Sequence, residues 1–263
     1  MSSRAYWYVW QERADRLRRE IAALAVTGAG LSDVHARAIA LVHREVASDL
    51  ACWVTMDPQT LGLSSIASGD ARIPPQYEPI LAAAEYTPDE PHRFATLARR
   101  REPAARLSDL TAEERRRSTR LNSVWRPLGL SQEIRVPFLV DGVCWGAAGM
   151  ARSGGDFSDR EVALLVAVAP AIASLTRLVV RAEAGVPLTG MPPAIVVVGP
   201  RGEPRALTAA ARDWRDRMDE LVPGRFALMM ELMAAGARAT PEDASAFGRG
   251  TPRGRGPFST RAC

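Results

Sequence analysis

Apolar and polar positions alternate with two different periods along roughly the first 180 residues. Residues 11–26 and 32–47 carry apolar side chains three or four positions apart, separated by charged residues, which predicts two amphipathic helices. Ser32 is in the position of an N-cap for the second helix. The apolar face predicted for the first helix consists of Ala14, Leu17, Ile21 and Leu24.

Four short apolar runs predict strands rather than helices, because turn residues end each of them. Residues 49–58 and 61–70 form one pair, with Asp57 and Pro58 in the connection between them. Residues 132–140 and 143–152 form the other pair, joined by Asp141-Gly142. An Asp-Gly step between apolar runs is a strong hairpin signal, so we expect two antiparallel hairpins.

Helices are predicted between and after the two hairpins. The middle of the chain, 74–124, is mostly helical in pattern. The sharpest helix start lies in 157–162, where Ser158 and Glu161 have the spacing of a capping box. That helix is expected to continue to about residue 181, with Pro170 as a possible bend.

The chain is therefore predicted to be α+β, with an antiparallel sheet between two helical layers. Residues 183–193 have the composition of a linker, and 194–240 begin with a second hairpin and helix, which we interpret as a partial second unit. The Gly-, Pro- and Arg-rich segment 241–263 is predicted to be a disordered tail.

Composition narrows the function classes further. All 34 basic residues are arginine, and the net charge of +4 is spread along the chain, so no basic face suggests direct DNA binding. The apolar stretch 162–180 is interrupted by three polar residues, so we expect no membrane span. The chain starts without the pattern of a signal peptide, and its three cysteines are expected to be thiols of a cytoplasmic protein.

Several of these segments, taken in order, resemble a known family. "DLACWVTMDPQT", "EYTPDEPHRFATLARR", "EIRVPFLVDGVCWGAAGM" and "DFSDREVALLVAVAPAIASLTR" are similar to the N-terminal GAF-type sensor domain of bacterial LuxR-type helix-turn-helix transcriptional regulators. The resemblance covers roughly 10–182, and "AIVVVGPRGEPRALTAAARDW" resembles the start of the PAS-like region that follows in those proteins.

The resemblance implies a domain order. An N-terminal amphipathic helix would occupy 1–30, a GAF-like sensor domain 31–182, and a partial PAS-like unit 194–240. Nothing after 240 has the pattern of a helix-turn-helix, so the chain is expected to end before the DNA-binding domain of that family.

The step Cys-Trp occurs twice, at Cys52-Trp53 and at Cys144-Trp145, each time inside a predicted strand. Since successive side chains of a strand face opposite sides of the sheet, each step sends its thiol to one layer and its indole to the other. We interpret both steps as core strands. The alternative is a cysteine-based redox sensor or thiol enzyme that uses Cys52 and Cys144. The sequence does not decide which member of each step faces a cavity.

In GAF domains the helix that corresponds to residues near 91–101 forms one wall of a ligand cavity, so the resemblance implies a small-molecule pocket. Arg126 is the one charge in the apolar stretch "VWRPLGL", which suggests a small apolar acid or an aromatic effector. The alternative is an ordinary loop anchored by a buried Trp125. The candidate pocket residues are Cys52, Trp53, Met56, Tyr86, His92, Phe94, Leu97, Trp125, Arg126, Leu128, Phe138, Cys144 and Trp145.

The sequence thus predicts a non-enzymatic sensor and dimerisation module of a transcriptional regulator. It would bind a small effector of unknown identity and signal by rearrangement of its helices. A homodimer through the terminal helices is expected, and neither a cofactor nor a metal site is.

Overall fold

The structure is a computed structural model, and it describes residues 3–69, 71–184, 194–221 and 223–239. The chain divides into two compact units, one within 1–85 and 89–183 and one within 86–88 and 184–263. The predicted tail 241–263 and most of the predicted linker 183–193 lie outside the described residues.

Helices and strands alternate in groups along the chain. The strands are β1 (Leu50–Met56), β2 (Leu63–Ser68), β3 (Ala105–Arg106), β4 (Gln132–Val140), β5 (Val143–Arg152), β6 (Val196–Val198) and β7 (Pro204–Leu207). The helices are α1 (Ser3–Ala23), α2 (Leu31–His43), α3 (Glu78–Ala84), α4 (Phe94–Leu97), α5 (Ala112–Arg117), α6 (Asp159–Ala184), α7 (Ala209–Leu221) and α8 (Arg225–Ala239). A π-helical turn follows α5 at Leu121–Trp125.

The first unit contains an antiparallel sheet of five strands in the order β2-β1-β5-β4-β3. Both hairpins predicted from the sequence are present. Asp141 and Gly142 both have positive φ, 54° and 74°, as expected for the tight turn that joins two antiparallel strands. β1 and β5 lie at the centre of the sheet, so both Cys-Trp steps are on central strands.

Helices α1, α2 and α6 cover one face of the sheet. The apolar side of α1 is buried as predicted, with Ala14, Leu17 and Ile21 each at most 3% exposed. α6 begins at the predicted capping box, where Ser158 N donates to Glu161 Oε2 at 2.7 Å. We call this side of the sheet the helical face.

The opposite face is covered by α3, α4 and the π-helical turn, and we call it the cavity face. The predicted α+β architecture, an antiparallel sheet between two helical layers, is therefore confirmed. The helices of this second layer are shorter than the mostly helical pattern of 74–124 predicted, because α4 covers one turn and α5 ends at Arg117, just before Ser118. There the Ser118 hydroxyl and the Thr119 amide both donate to Glu90.

Contrary to the prediction from the interrupted apolar stretch 162–180, α6 is long and apolar enough to cross a membrane by length and composition alone. Half of the apolar window in Asp159–Glu183 is buried inside the first unit. Ile172 and Leu175, for example, are at most 2% exposed in the core of the helical face.

In the second unit, β6 and β7 form the predicted hairpin and α7 follows as predicted. α8 was not predicted, since its apolar residues do not follow one clear helical face. Trp214 on α7 and Phe226 on α8 are in edge-to-face contact, with ring centroids 5.8 Å apart.

Candidate functional site

Cys52 and Trp53 lie on opposite faces of β1. Trp53 is 1% exposed on the helical face, where its ring is 4.9 Å from Phe138 and 5.9 Å from His35. Cys52 is half-buried on the cavity face, beside the apolar residues of α3 and α4. The first Cys-Trp step therefore sends its thiol to the cavity and its indole to the helical layer.

A β-bulge gives the second step the same orientation. β5 pairs Cys144 with Leu139 and Gly146 with Phe138, so Trp145 is the extra residue in the ladder. Cys144 packs on the cavity face with Met56, at an Sγ–Sδ distance of 3.8 Å. Trp145 faces α6, where the Arg181 guanidinium lies 5.4 Å from its ring.

A cavity of about 60 Å³ lies between the sheet and the cavity-face helices. Strands β1, β2, β4 and β5 form its floor, and α3, α4 and the π-helical turn form its roof. Its apolar wall includes Val54, Leu63, Ile73, Leu81, Phe94 and Trp125. Its charged wall consists of Glu78, Glu85, Arg120, Glu133 and Arg135.

Arg120 is the centre of a buried ion network at this wall. Its Nε is 3.0 Å from both carboxylate oxygens of Glu133, and its Nη1 is 3.0 Å from Glu90 Oε1. All three side chains are at most 3% exposed. Burial works against the charged guanidinium, but the surrounding carboxylates, Glu133 foremost, outweigh it and raise the pKa of Arg120.

Arg135 extends this network along β4. Its Nη2 is paired with Glu85 Oε1, and its guanidinium carbon lies 3.7 Å from the centroid of the Phe94 ring. Glu85 also accepts from the Phe94 amide at 2.9 Å, which ties α4 to the end of α3. Arg135 is thus held between a carboxylate and an aromatic face.

Two hydrogen-bond donors of the cavity wall have no partner. They are Arg135 Nε and Trp125 Nε1, both fully buried. Arg135 has 3% of its side chain exposed, and Trp125 is 5% exposed. Four other buried side-chain atoms among the described residues also lack a partner, and none of them belongs to a residue of the cavity wall.

Neither thiol of the cavity face is placed for redox chemistry with the other. Cys52 pairs with Gly149, five residues from Cys144 on β5, and this separates the two by roughly 15 Å at about 3.3 Å per residue. A disulfide needs Cα atoms within about 7 Å. Burial raises the pKa of Cys52 to about 12, against a weaker opposing effect of Arg135, and burial also raises the pKa of Cys144.

His92 is a buried histidine beside the network rather than a wall residue. It is 9% exposed and has a φ of 55°, in the left-handed region that non-glycine residues rarely adopt. Burial lowers its pKa to about 4, and the nearby guanidinium groups add to this effect. Among the described residues, no group of three His, Cys, Asp or Glu side chains is arranged to hold a metal ion.

The remaining candidates from the sequence are dispersed. Cys52, Phe94 and Trp125 line the cavity, whereas Met56, Leu97, Leu128 and Cys144 belong to the layer around it without lining it. Trp53, Phe138 and Trp145 lie on the helical face. Tyr86 is grouped with the second unit.

Arg126 does not supply the cavity's positive charge. It is exposed and donates to Asn122 Oδ1 at 2.6 Å, because the π-helical turn directs it away from Trp125. The positive charges at the wall come from Arg120 and Arg135, neither of which was among the residues predicted from the sequence. One signal exists for Arg135: it lies two residues after Glu133 in a strand that continues with apolar residues from Val136 to Val140.

Comparisons with known proteins find no matching family model and no matching curated protein. Solved structures are similar to the chain at low identity. A GAF domain from an Acinetobacter phosphoenolpyruvate-protein phosphotransferase is 15% identical, with 72% of this chain and 99% of that chain covered and a TM-score of 0.44.

Two further structures are similar at comparably low identity. A phycoerythrobilin-bound GAF domain from a cyanobacterial phytochrome is 12% identical, covering 65% of this chain and 97% of that one, at a TM-score of 0.44. The VqsR LBD domain from Pseudomonas aeruginosa is 12% identical, covering 66% and 97%, at a TM-score of 0.39. The chain is similar to each of these, and the family to which it belongs stays a proposal.

Proposed function

We propose that the first unit is a GAF-type sensor domain that binds a small effector in the cavity between its sheet and α3, α4 and the π-helical turn. The observation that most directly supports this proposal is the cavity, which is an apolar space with a buried ion network in one wall. Buried ion pairs are expensive to desolvate, so a network of this kind is weak evidence for stability and supports a positional role. The sequence resemblance to sensor domains of LuxR-type regulators points the same way.

We also propose a non-enzymatic role, which the state of the reactive groups supports. The thiol that lines the cavity has its pKa raised to about 12, so it is not a thiolate near neutral pH. The guanidinium and carboxylate groups of Arg120 and Glu133 are engaged with each other. No nucleophile activated by an adjacent base is found among the wall residues of the cavity.

The effector proposal is tested by native mass spectrometry of the purified protein. We expect a small molecule to be carried by the wild type and lost from Cys52→Met, since the longer side chain would occupy the cavity. Val143→Met is the matched control, because Val143 is on the surface of the same sheet and 37% exposed. A molecule carried equally by both variants would place its site elsewhere and contradict the proposal.

We further propose that the unit forms a homodimer through α1 and α6. The two helices are joined by a hydrogen bond from Arg18 Nε to the Ala167 carbonyl, at 2.8 Å. A groove beside this contact is lined largely by small and apolar residues, including Ala22, Ala171 and Leu178. Leu178 is 55% exposed at this groove.

Sedimentation velocity tests the dimer. Leu178→Arg is expected to shift the protein to a monomer, because it places a charge next to Arg18 and Arg19 at the groove. Ile66→Arg, an equal change at a position that is 48% exposed on the cavity-face side of β2, is expected to leave the dimer intact. A wild type that sediments as a monomer would refute this part of the proposal.

The role in a transcriptional regulator, and with it a cytoplasmic location, rests on the sequence resemblance. In such a protein, effector binding would shift the relative populations of helix arrangements, and α6 would carry the change because it packs on the sheet whose other face forms the cavity. Hydrogen exchange along α6, measured with and without the carried molecule, tests this coupling. Identical exchange in the two states would contradict it.

A further inference from the structure

The charged groups around the cavity present almost no surface to it. The side chains of Arg120, Glu133 and Arg135 are each 3% exposed, and that of Glu85 is 8% exposed. The cavity has several times the volume of roughly 10–15 Å³ that a water molecule needs, so a charged group that faced it would have surface open to it. The ion network therefore contributes little of the surface that a molecule in the cavity would touch.

The same holds for the hydrogen-bond donors that lack a partner. Arg135 Nε and Trp125 Nε1 have essentially no accessible surface, so no acceptor in the cavity can reach them. The charged ends of the network are engaged between the roof and the floor of the cavity. Arg120, at the start of the π-helical turn, pairs with Glu133 on β4. Arg135 on β4 pairs with Glu85 at the end of α3, so both pairs tie the roof to the sheet and are not available to a ligand.

The wall residues with more accessible surface are mostly apolar. Cys52, Leu63 and Leu81 are half-buried, and Ile66 on the edge strand β2 is 48% exposed. The Cys52 thiol is uncharged near neutral pH, because burial raises its pKa to about 12. Among the wall residues, Glu78 in the first turn of α3 is the one charged residue outside the network. A molecule that enters past Ile66 meets an apolar surface, so burial of its own apolar surface is the main gain that it can make.

We propose, on the basis of the sensor function proposed above, that the effector inserts an uncharged apolar group of about three carbon atoms into this cavity and forms no hydrogen bond with its wall. The size follows from the volume of about 60 Å³, since a cavity of roughly 150 Å³ lined by aliphatic and aromatic side chains holds the six carbon atoms of benzene. The buried part is then neither the acid nor the aromatic ring that the sequence suggested.

Probes of equal shape separate the chemical classes. Propane, dimethyl ether and dimethylammonium differ only in their central group, which is a methylene, an ether oxygen or a charged NH₂⁺, and acetate represents the anions. Each is titrated into the full chain at millimolar concentrations, with propane supplied as a pressurised gas. The methyl resonances of Val54, Leu63 and Leu81 at the cavity are followed by ¹H–¹³C NMR. Those of Leu178, at the groove beside α1, are the internal reference.

We expect propane to shift the three wall resonances and not those of Leu178. Dimethyl ether is expected to bind at least about tenfold more weakly, because its oxygen gives up hydrogen bonds to water that the wall does not replace. Dimethylammonium and acetate are expected to cause no shift over the same range, since a charge would be buried without a partner.

A matched pair of variants assigns the response to the cavity by size. Leu81→Ala removes three carbon atoms from the wall, so it is expected to admit benzene, which the wild type excludes. Leu128→Ala is the control, because Leu128 is also half-buried and packs in the same apolar cluster without lining the cavity. Propane shifts that persist in both variants show that the fold is kept. Equal responses of the two variants to benzene would overturn the assignment of binding to this cavity.

Stronger binding of dimethyl ether, dimethylammonium or acetate than of propane at the wall resonances would overturn the apolar class, while leaving the cavity as an effector site. A lack of response to all four probes would overturn the inference altogether. Native mass spectrometry of the wild type and Cys52→Met decides separately whether the sensor proposal stands. A carried molecule without an uncharged apolar group would contradict the inference and leave that proposal intact.

Discussion

Replacement of Arg120 by methionine is the most direct test of the buried ion network. Methionine fills a similar volume without charge, so the change leaves Glu90 and Glu133 without their shared guanidinium. Removal of one partner from a buried ion pair destabilises proteins by about 3–5 kcal/mol, because a charge remains buried without compensation.

The geometry places Arg120→Met near the lower end of that range. Glu90 keeps three donors, the Ser118 hydroxyl at 2.6 Å, the Thr119 amide at 2.8 Å and the backbone amide of residue 120 at 3.4 Å. Glu133 keeps only Arg135, whose Nη1 lies 3.7 Å away. We therefore expect a loss of about 3 kcal/mol in the free energy of unfolding, most of it from Glu133.

Native-state hydrogen exchange of the β1 and β5 amides is the suitable assay, because these central strands report the first unit independently of the second. Arg116→Met serves as the control, since Arg116 is exposed on α5, and its effect is expected to stay within about 0.5 kcal/mol. The combined variant Arg120→Met, Glu90→Gln, Glu133→Gln is expected to recover part of the loss, because it removes the unpaired charges. A loss below about 1 kcal/mol for Arg120→Met would refute the assignment of this network as buried and mutually compensated.

Three further outcomes follow from the structure. Because burial lowers the pKa of His35 to about 4, the folded state resists its protonation, so His35 should contribute a loss of about 3 kcal/mol in stability as pH drops from about 6.5 to 4, in addition to the loss from His92, as followed by denaturant titrations. Cys52 should react slowly with a thiol reagent in native buffer at pH 8 and readily in denaturant, since its pKa is about 12. Gly146→Ala should destabilise the protein by about 1–3 kcal/mol in urea unfolding, because the added Cβ would meet the Val54 carbonyl oxygen.

Each of these outcomes has a matched control. His35→Gln should remove the corresponding part of the acid dependence, and an unchanged slope would contradict the role of His35. The thiol measurement uses a Cys263→Ser background, and rapid native labelling of Cys52 would contradict its burial. Gly154→Ala, where an added Cβ meets nothing within 4 Å, should be neutral, and equal effects at both glycines would contradict the close approach at Gly146.

Local sequence signals were sufficient to predict several of the helices and strands. The Asp141-Gly142 turn and the Ser158–Glu161 capping box act within a few residues, so the pattern sufficed to place the β4–β5 hairpin and the start of α6. The alternation of side chains in β1 also sufficed to predict that Cys52 and Trp53 face different layers.

The tertiary packing determines which layer Cys52 faces and which layer Trp53 faces. The side chains of β1 alternate in the same way whichever of the two faces is the cavity face. The faces are distinguished only by the packing of α2 and α6 against one of them. At the second step a bulge at Trp145 changes the alternation, and it depends on the register with Phe138 and Leu139 on β4. No pattern within β5 alone predicts where that register shifts.

The residues of the buried ion network could not be predicted from the sequence for a similar reason. Arg120 is 30 residues from Glu90 and 13 from Glu133, and these distances in sequence carry no spacing rule. In the sequence, Arg120 belongs to an arginine-rich stretch that looks like a solvated helix surface. The interruption of that helix at Ser118 turns Arg120 inward instead. Local patterns thus predict the helices and strands, whereas long-range packing determines which charged side chains line the cavity. The burial of a side chain and its ion-pair partner depend on contacts between elements that are distant in the sequence.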